Sequence, residues 1–384
     1  MSGAPRKVLV LTGKRGGYGA MKPMLRRLRD DPAFALQLVV TDQHVSERFG
    51  RTAREIEQEF AITAAVDMEQ ADDRPVSRAR ALGVCLHKMT GVVEKLLPDI
   101  AVLYGDRGEV LATATVATTL GIPIAHLQGG DVSGSVDEQV RHAVTKLAHL
   151  HFPSTEASAQ RIRQMGEEPW RIHVVGDNHI DLIVAGEYWP PERVASELGL
   201  DLRRPVVVVL QHSETTAPDA AYAQMVETLV AVRDSGHQAV VIHPCSDPGY
   251  QGILRAIAEL AHPPQFIVRV NLDAPAFWGL LALAAALVGN SSAGLIETPT
   301  FRLAAMDIGR RQEGRQHAEN VLHVPHDRAA IADALSRTLH DAAFRTTVAQ
   351  CRQPFGDGHA GERVVEIVGK TALNGELLVK RMTY

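Results

Sequence analysis

Short runs of β-branched and other apolar residues alternate with longer stretches of helical spacing along most of this chain, and nothing else in the sequence constrains its fold as strongly. A continuous apolar run of strand length suits a strand covered on both faces, and parallel strands need a crossover, usually a helix, between them. In the first half, Lys7–Thr12, Leu36–Thr41, Asp99–Tyr104, Ile122–Leu127, His151–Pro153 and Ile172–Val175 read as such strands. Ala20–Arg29, Val76–Leu97, a segment opening near Gly108 and Ser135–Leu150 read as the helices between them. Pro23 is expected in the opening turn of the first helix, where its missing N–H is tolerated. A break at Tyr188–Glu192 and Leu202–Pro205, around a short helical segment, precedes a second series: Pro205–Leu210, Gln238–His243, Ala286–Val288 and Leu303–Ile308. The expectation is an α/β protein of two Rossmann-like, doubly wound domains, 1–190 and 200–384, with a boundary near 185–205. A ligand is expected in the cleft between them, and the last helix is expected to pack back on the first domain.

Composition removes several function classes. With 45% hydrophobic and 22% charged residues, the chain has the make-up of a folded globular protein. Its net charge of −5 argues against a general nucleic-acid binder. Cys85, Cys245 and Cys351 are too scattered for a disulfide framework or a thiolate zinc site. The 17 histidines show no H-E-x-x-H spacing, so no catalytic metal is expected. The N-terminus lacks signal-peptide organisation, and Ala276–Val288 is too short to span a bilayer, reading instead as a buried helix and strand. A cytoplasmic protein without a membrane partner is expected.

Open α/β sheets bind ligands beyond the carboxyl ends of their strands, and this sequence concentrates its polar and glycine residues there. Gly13–Gly19 is a strand–helix turn or a phosphate cradle; its spacing matches neither the dinucleotide nor the P-loop pattern. Gly289–Gly294 gathers Asn290, Ser291, Ser292 and Gly294 after an apolar strand and before a helix, where N–H and hydroxyl donors suit a phosphate. Ordinary capping by Ser291 or Ser292 is the alternative. Glu297, one turn on, is placed to accept from a ribose diol. Asp106 ends a strand beside Arg107. Asp137, Glu138, Arg141 and His142 form two i,i+4 pairs near Gly129-Gly130, either a solvated helix face or a carboxylate and cation with an acid/base group. His212 ends PVVVVL, facing the expected cleft, and His243 ends the next strand.

These residues carry a resemblance. Gly105-Asp106-Arg107, His126–Gly134 (HLQGGDVSG), Val136–His149, Gly289–Glu297 (GNSSAGLIE), Ile308–Arg315 and Glu319–Val324 together resemble the UDP-N-acetylglucosamine 2-epimerase family, above all its hydrolysing branch. The resemblance implies a glycosyltransferase-B arrangement, a homodimer, a UDP-sugar substrate, and chemistry without a nicotinamide, a metal or another cofactor. It implies anti elimination of UDP across C1–C2 to a 2-acetamidoglucal. Water then gives N-acetylmannosamine and UDP, whereas return of UDP gives UDP-N-acetylmannosamine. By motif, Asp106 and Asp137 fall on the catalytic carboxylates, and Gln128 and Glu138 belong to the same set. His212 falls on the family's functional histidine, near the diphosphate, and is counted with the catalytic residues. Arg15, Arg141, His243, Asn290, Ser291, Ser292 and Gly294 fall on substrate contacts, Glu297 on the ribose, and Arg311 and Arg315 on a basic motif closing on the nucleotide.

Two departures stand out. Gln128 occupies the family's usual glutamate position, and an amide cannot exchange a proton as a carboxylate does. The turn Lys14-Arg15-Gly16-Gly17 also lacks the usual acid. Asp131 or Glu138 stands to replace the missing carboxylate; otherwise the substrate has changed or a half-reaction has been lost. If a carboxylate is needed at position 128, Gln128→Glu is expected to preserve or raise activity. A glycosyltransferase of the same architecture and a non-catalytic UDP-sugar-binding protein are the competing readings.

Overall fold

The computed structural model describes residues 4–47, 51–72, 74–132, 136–214, 216–245 and 247–384. Ser133, Gly134 and Ser135 lie outside the described residues. The chain divides into two compact units, Met1–Leu182 with Phe355–Tyr384, and Ile183–Pro354. The first holds β1 (Arg6–Thr12), β2 (Phe34–Thr41), β3 (Ala64–Val66), β4 (Ile100–Tyr104), β5 (Ile124–Leu127) and β6 (Leu150–Phe152). They form one parallel sheet in the order β3-β2-β1-β4-β5-β6. The second holds β7 (Val206–Leu210), β8 (Gln238–Ile242), β9 (Phe266–Arg269), β10 (Ala286–Gly289), β11 (Ala304–Ile308) and β12 (Val321–Val324), parallel in the order β12-β11-β10-β7-β8-β9. Counted from its own first strand, the second sheet repeats the order of the first. In each, the connections reverse direction between the first and fourth strands, β1/β4 and β7/β10, which opens a crevice at the carboxyl ends.

The strands form because both faces of each sheet are covered. In β1, Val8 and Val10 enter one core with Met21, Met24 and Leu25, while Leu9 and Leu11 enter another with Cys85 and Met89. Each such side chain taken fully from water contributes about 1.5–3 kcal/mol. Two expectations fail here. The first helix runs over Arg15–Asp30, so Pro23 lies in its interior rather than its opening turn. Ile172–Val175 lies along β6 through His173 N–H to His151 O at 2.9 Å and Val175 N–H to Pro153 O at 3.2 Å, yet makes a single bridge and no strand. The turn at Gly176 (φ +98°) ends the pairing.

The returning segment completes the first unit. The helix Ala360–Lys370 packs on Arg15–Asp30, and Val364, Val365, Val368 and Leu377 share a core with Met24, Leu25 and Leu28. Fully buried Arg171 donates to the carbonyls of Leu377 at 2.7 Å, Glu376 at 3.1 Å and Val379 at 3.1 Å. Glu167 accepts from Lys146 Nζ at 2.6 Å and His151 Nε2 at 2.9 Å, with Lys380 Nζ at 2.6 Å. Among the described residues no helix is long and apolar enough to cross a membrane.

Candidate functional site

In the first unit, the turns after β4 and β5 bring together the residues singled out in the sequence. Asp106, just past β4, accepts from Arg141 Nη2, and Arg141 Nη1 donates to the Asp131 carbonyl at 2.7 Å. Arg141 comes from the helix Val136–Leu147 and is buried, so its guanidinium fixes the direction of the Asp106 carboxylate. His126, buried within β5, holds the turn below: its Nε2 lies 2.8 Å from the Gly105 carbonyl. Burial pushes its pKa down to about 4, so the ring is neutral at pH 7 and Nε2 carries the proton. Gly130 has φ +78°, and a Cβ there would collide with the Ser158 carbonyl, which is why the turn requires glycine.

The other expected residues are placed as follows. Asp137 is exposed in the first turn of Val136–Leu147, and Glu138 Oε1 lies 3.7 Å from His142 Nε2. Arg15 opens Arg15–Asp30, exposed, and donates bidentately to Glu55 at 2.5 and 3.1 Å. The Asp131 carboxylate accepts from Ser158 Oγ at 2.5 Å.

Gln128 meets a residue that sequence reasoning missed. Its Nε2 donates to Asp177 Oδ2 at 2.8 Å, and Asp177 Oδ1 accepts from His179 N at 2.9 Å and lies 2.8 Å from His179 Nδ1. Asp177 is buried, and burial alone would raise its pKa, but the His179 charge and hydrogen bonds from His179 and Gln128 outweigh that and lower it. Tyr104, at the end of β4, has its phenol raised well above the ordinary value by burial, then by the charges of Asp177, Asp131 and Asp106. The signal was present: Gly176-Asp177 repeats the glycine–acid pattern of Gly105-Asp106, and both glycines have positive φ. The same geometry favours the other outcome for Gln128→Glu, a loss that would mark a pocket rebuilt around the amide. Gln128→Glu would set two carboxylates at about the present 2.8 Å separation, so one must hold a proton. Turnover at pH 7 should fall about tenfold and recover partly at lower pH, as a pH–rate profile will measure.

In the second unit, the crevice beside β7 and β10 holds His212 and Asn290. Asn290 Oδ1 accepts from His212 N at 2.7 Å, and its Nδ2 donates to His212 O at 2.9 Å, locking the two strand ends together. His212 Nδ1 accepts from Cys245 N at 3.1 Å, which leaves the proton on Nε2. Burial, then the Arg311 charge, pushes His212 down to about 4. Arg311 Nη1 donates to Asn290 O at 3.3 Å and Nη2 to Asp247 Oδ2 at 3.3 Å, while Gln312 Nε2 donates to Asn290 O at 2.9 Å. His243 is half-buried after β8, and Arg315 is half-buried in the turn that follows Gln312. Glu297 Oε2 accepts from Trp278 Nε1 at 2.8 Å.

The helix after Ser291-Ser292 differs from expectation. It spans only Ala293–Ile296, and Ser292 at its cap makes no side-chain capping bond. Four residues align too few peptide dipoles to sum to a helix-scale field. Any anion there would be held by individual N–H and hydroxyl donors of the Asn290–Gly294 turn. Gly289 is required by the close approach of the strands: at φ +143°, a Cβ would strike the Leu210 carbonyl.

With this geometry in view, comparison with known proteins gives a consistent result. The model of the family described as UDP-N-acetylglucosamine 2-epimerase matches residues 26–369. A relative in Legionella pneumophila named UDP-N,N'-diacetylbacillosamine 2-epimerase (hydrolyzing) is 33% identical over 99% of this chain and 100% of its own. A UDP-N-acetylglucosamine 2-epimerase of Neisseria meningitidis is 29% identical over 88% of this chain and 89% of its own. The crystal structure of UDP-GlcNAc 2-epimerase from Neisseria meningitidis bound to UDP-GlcNAc shares the fold, with a TM-score of 0.79 and 15% identity, covering 95% of this chain and 100% of that one. The chain belongs to the UDP-N-acetylglucosamine 2-epimerase family.

Proposed function

We propose that this chain eliminates UDP from a UDP-linked 2-acetamido hexose and adds water, releasing UDP and the free sugar epimerised at C2. The observation that carries this reading is the Asp106 carboxylate at the end of β4, aimed by the buried guanidinium of Arg141. The C2 proton of such a sugar is not acidic on its own. Departure of the diphosphate builds positive charge at C1 and weakens the C2–H bond, so a fixed carboxylate can take that proton. The second unit's Asn290–Gly294 turn, His212 and Arg311 supply N–H, hydroxyl and guanidinium donors of the kind that stabilise a departing diphosphate. Asp137 and Glu138 stay in the reading as further carboxylates, Glu297 as the ribose contact, and Arg15, His243 and Arg315 as further substrate contacts.

The full-length likeness to the hydrolysing Legionella relative favours hydrolysis and a diacetamido-dideoxy sugar as the first substrate to try. Phosphorus NMR of the purified protein with UDP-N,N'-diacetylbacillosamine and UDP-N-acetylglucosamine in deuterated water tests it. Free UDP with deuterium at C2 is expected. A persistent sugar diphosphate carrying deuterium at C2 would mean reversible epimerisation instead, the reading that the Neisseria relative keeps open. No change in either substrate would overturn the proposal. Arg311→Ala should weaken UDP binding by about 10- to 100-fold, the size of one or two lost charge-assisted hydrogen bonds, as calorimetry will measure. The same reading takes the enzyme as a homodimer of the cytoplasm; sedimentation equilibrium checks the first and cell fractionation the second.

A further inference from the structure

Epimerisation through a glycal needs two proton carriers, because one proton leaves C2 from one face and another arrives on the opposite face. Asp106 accounts for one. Gln128 cannot be the other, since its amide does not titrate. Asp131 has its carboxylate on Ser158 Oγ at 2.5 Å, Glu138 lies beside His142 on its own helix, and Asp137 is exposed in the first turn of that helix, whereas His179 is tied to a buried anchor.

We propose that His179 is the second proton carrier, with Asp177 as its positioning residue. This deepens the proposed epimerase reading and rests on it. Three observations carry it. The ring is tethered to a buried anchor: Asp177 has a side chain 2% exposed, whereas that of His179 is 29% exposed. A carboxylate accepts hydrogen bonds, so the 2.8 Å contact to Asp177 Oδ1 puts the imidazole proton on Nδ1 and makes Nε2 the exchanging atom. Finally, His179 and Asp106 belong to one neighbourhood. Tyr104 OH lies 3.5 Å from His179 Nδ1, and the same phenol feels the charges of Asp177, Asp131 and Asp106. Gln128 has a role as well: by donating to Asp177 Oδ2 at 2.8 Å it fixes the carboxylate that fixes the imidazole.

The steps balance. Asp106 takes the C2 proton as the C1–O bond breaks, its electron pair leaving with UDP and the C1=C2 bond forming. The imidazolium of His179 then gives a proton to C2 from the other face while the oxygen of a water bonds to C1 and that water's spare proton passes to solvent. Both carriers are reset by proton exchange with solvent.

The test uses the full chain. His179→Gln should lower kcat by about 100-fold or more and slow deuterium entry at C2 equally, with the Kd for UDP unchanged. His179→Asn serves as a second variant, and UDP binding by calorimetry certifies folding in each. Asp177→Asn should lower kcat about tenfold with KM nearly constant and move the imidazole limb of the pH–rate profile by about one unit, which a merely structural residue would not do. Nitrogen-15 NMR of the unliganded wild type should find the neutral His179 ring protonated at Nδ1. His179→Gln turning over within threefold of wild type, or a neutral ring protonated at Nε2, overturns the proposal while leaving the epimerase reading intact. A wild-type protein that releases no UDP and takes up no deuterium from any UDP-hexosamine overturns the reading itself, and the carrier role with it.

Discussion

Asp106→Asn will lower kcat by about 10³-fold while leaving UDP affinity within about twofold. The substitution keeps an oxygen for Arg141 to donate to but removes the atom that can accept a proton. The donors proposed for the diphosphate, Asn290–Gly294, His212 and Arg311, make none of their hydrogen bonds with Asp106 and keep them. A modest stability cost comes with it. The side chains of Asp106 and Arg141 are 21% and 7% exposed, so the guanidinium loses its charged partner in a mostly dry place, at about 1–3 kcal/mol. Stopped-flow release of UDP, deuterium exchange at C2 and calorimetry of UDP separate the two effects. Near-normal turnover would remove Asp106 from the chemistry and direct attention to Asp137.

Glu167→Ala will produce the largest loss of stability, about 2–4 kcal/mol, because it strands the mostly buried Lys380 ammonium, 17% exposed, and removes the acceptor of the part-exposed Lys146 and of the buried His151 ring. The Glu167 side chain is fully buried against Lys146, Lys380 and His151. Burial alone would raise its pKa; hydrogen bonds from those three hold it down at about 2. A depressed carboxylate contributes stability above its unfolded pKa, and the contribution is lost as the pH falls toward about 2. The buried histidines act in a higher window. His126 and His149 are pushed down to about 4 by burial, so between about 6.5 and 4 the unfolded chain takes up protons that the native chain refuses. His126 alone accounts for about 3 kcal/mol across that window. Wild-type urea midpoints should therefore begin to fall below about pH 6.5, and Glu167→Ala should shift the midpoint at pH 7. An unchanged midpoint in the variant would show that this cluster contributes nothing to stability.

The sequence was most legible where burial is two-sided. Central strands such as β1, β4, β7 and β8 are continuous apolar runs, and their periodicity alone marks them. The unrecognised strands, β3, β9 and β12, all lie at sheet edges. They are only three or four residues long and half covered, so their apolar signal is diluted by polar neighbours. The repeated strand order was invisible because topology depends on which strands pair, and no short motif records that. The candidate site divides in the same way. Asp106 and Arg141 were marked by their places at a strand end and a helix start, and the structure joins them. Asp177 and His179 went unmarked although Gly176-Asp177 follows a run that reads as a strand and repeats the Gly105-Asp106 pattern, because the pairing of Asp177 with Gln128 and His179 exists only in the fold. Gln128 was legible only as a departure; its partner is 49 residues away in sequence, a distance that spacing cannot bridge.

The division of the chain also has a consequence for biosynthesis. The second unit, Ile183–Pro354, is one uninterrupted stretch, whereas the first is written in two pieces. On a ribosome, the residues first to emerge would wait with Met24, Leu25 and Leu28 unsheathed until Val364, Val365, Val368 and Leu377 follow, while the later-encoded unit would already be whole. Nascent chains arrested before the Ala360–Lys370 helix should thus carry a folded second unit beside an unfinished first one, a state in which chaperone capture and proteolytic nicking would concentrate on the amino-terminal half.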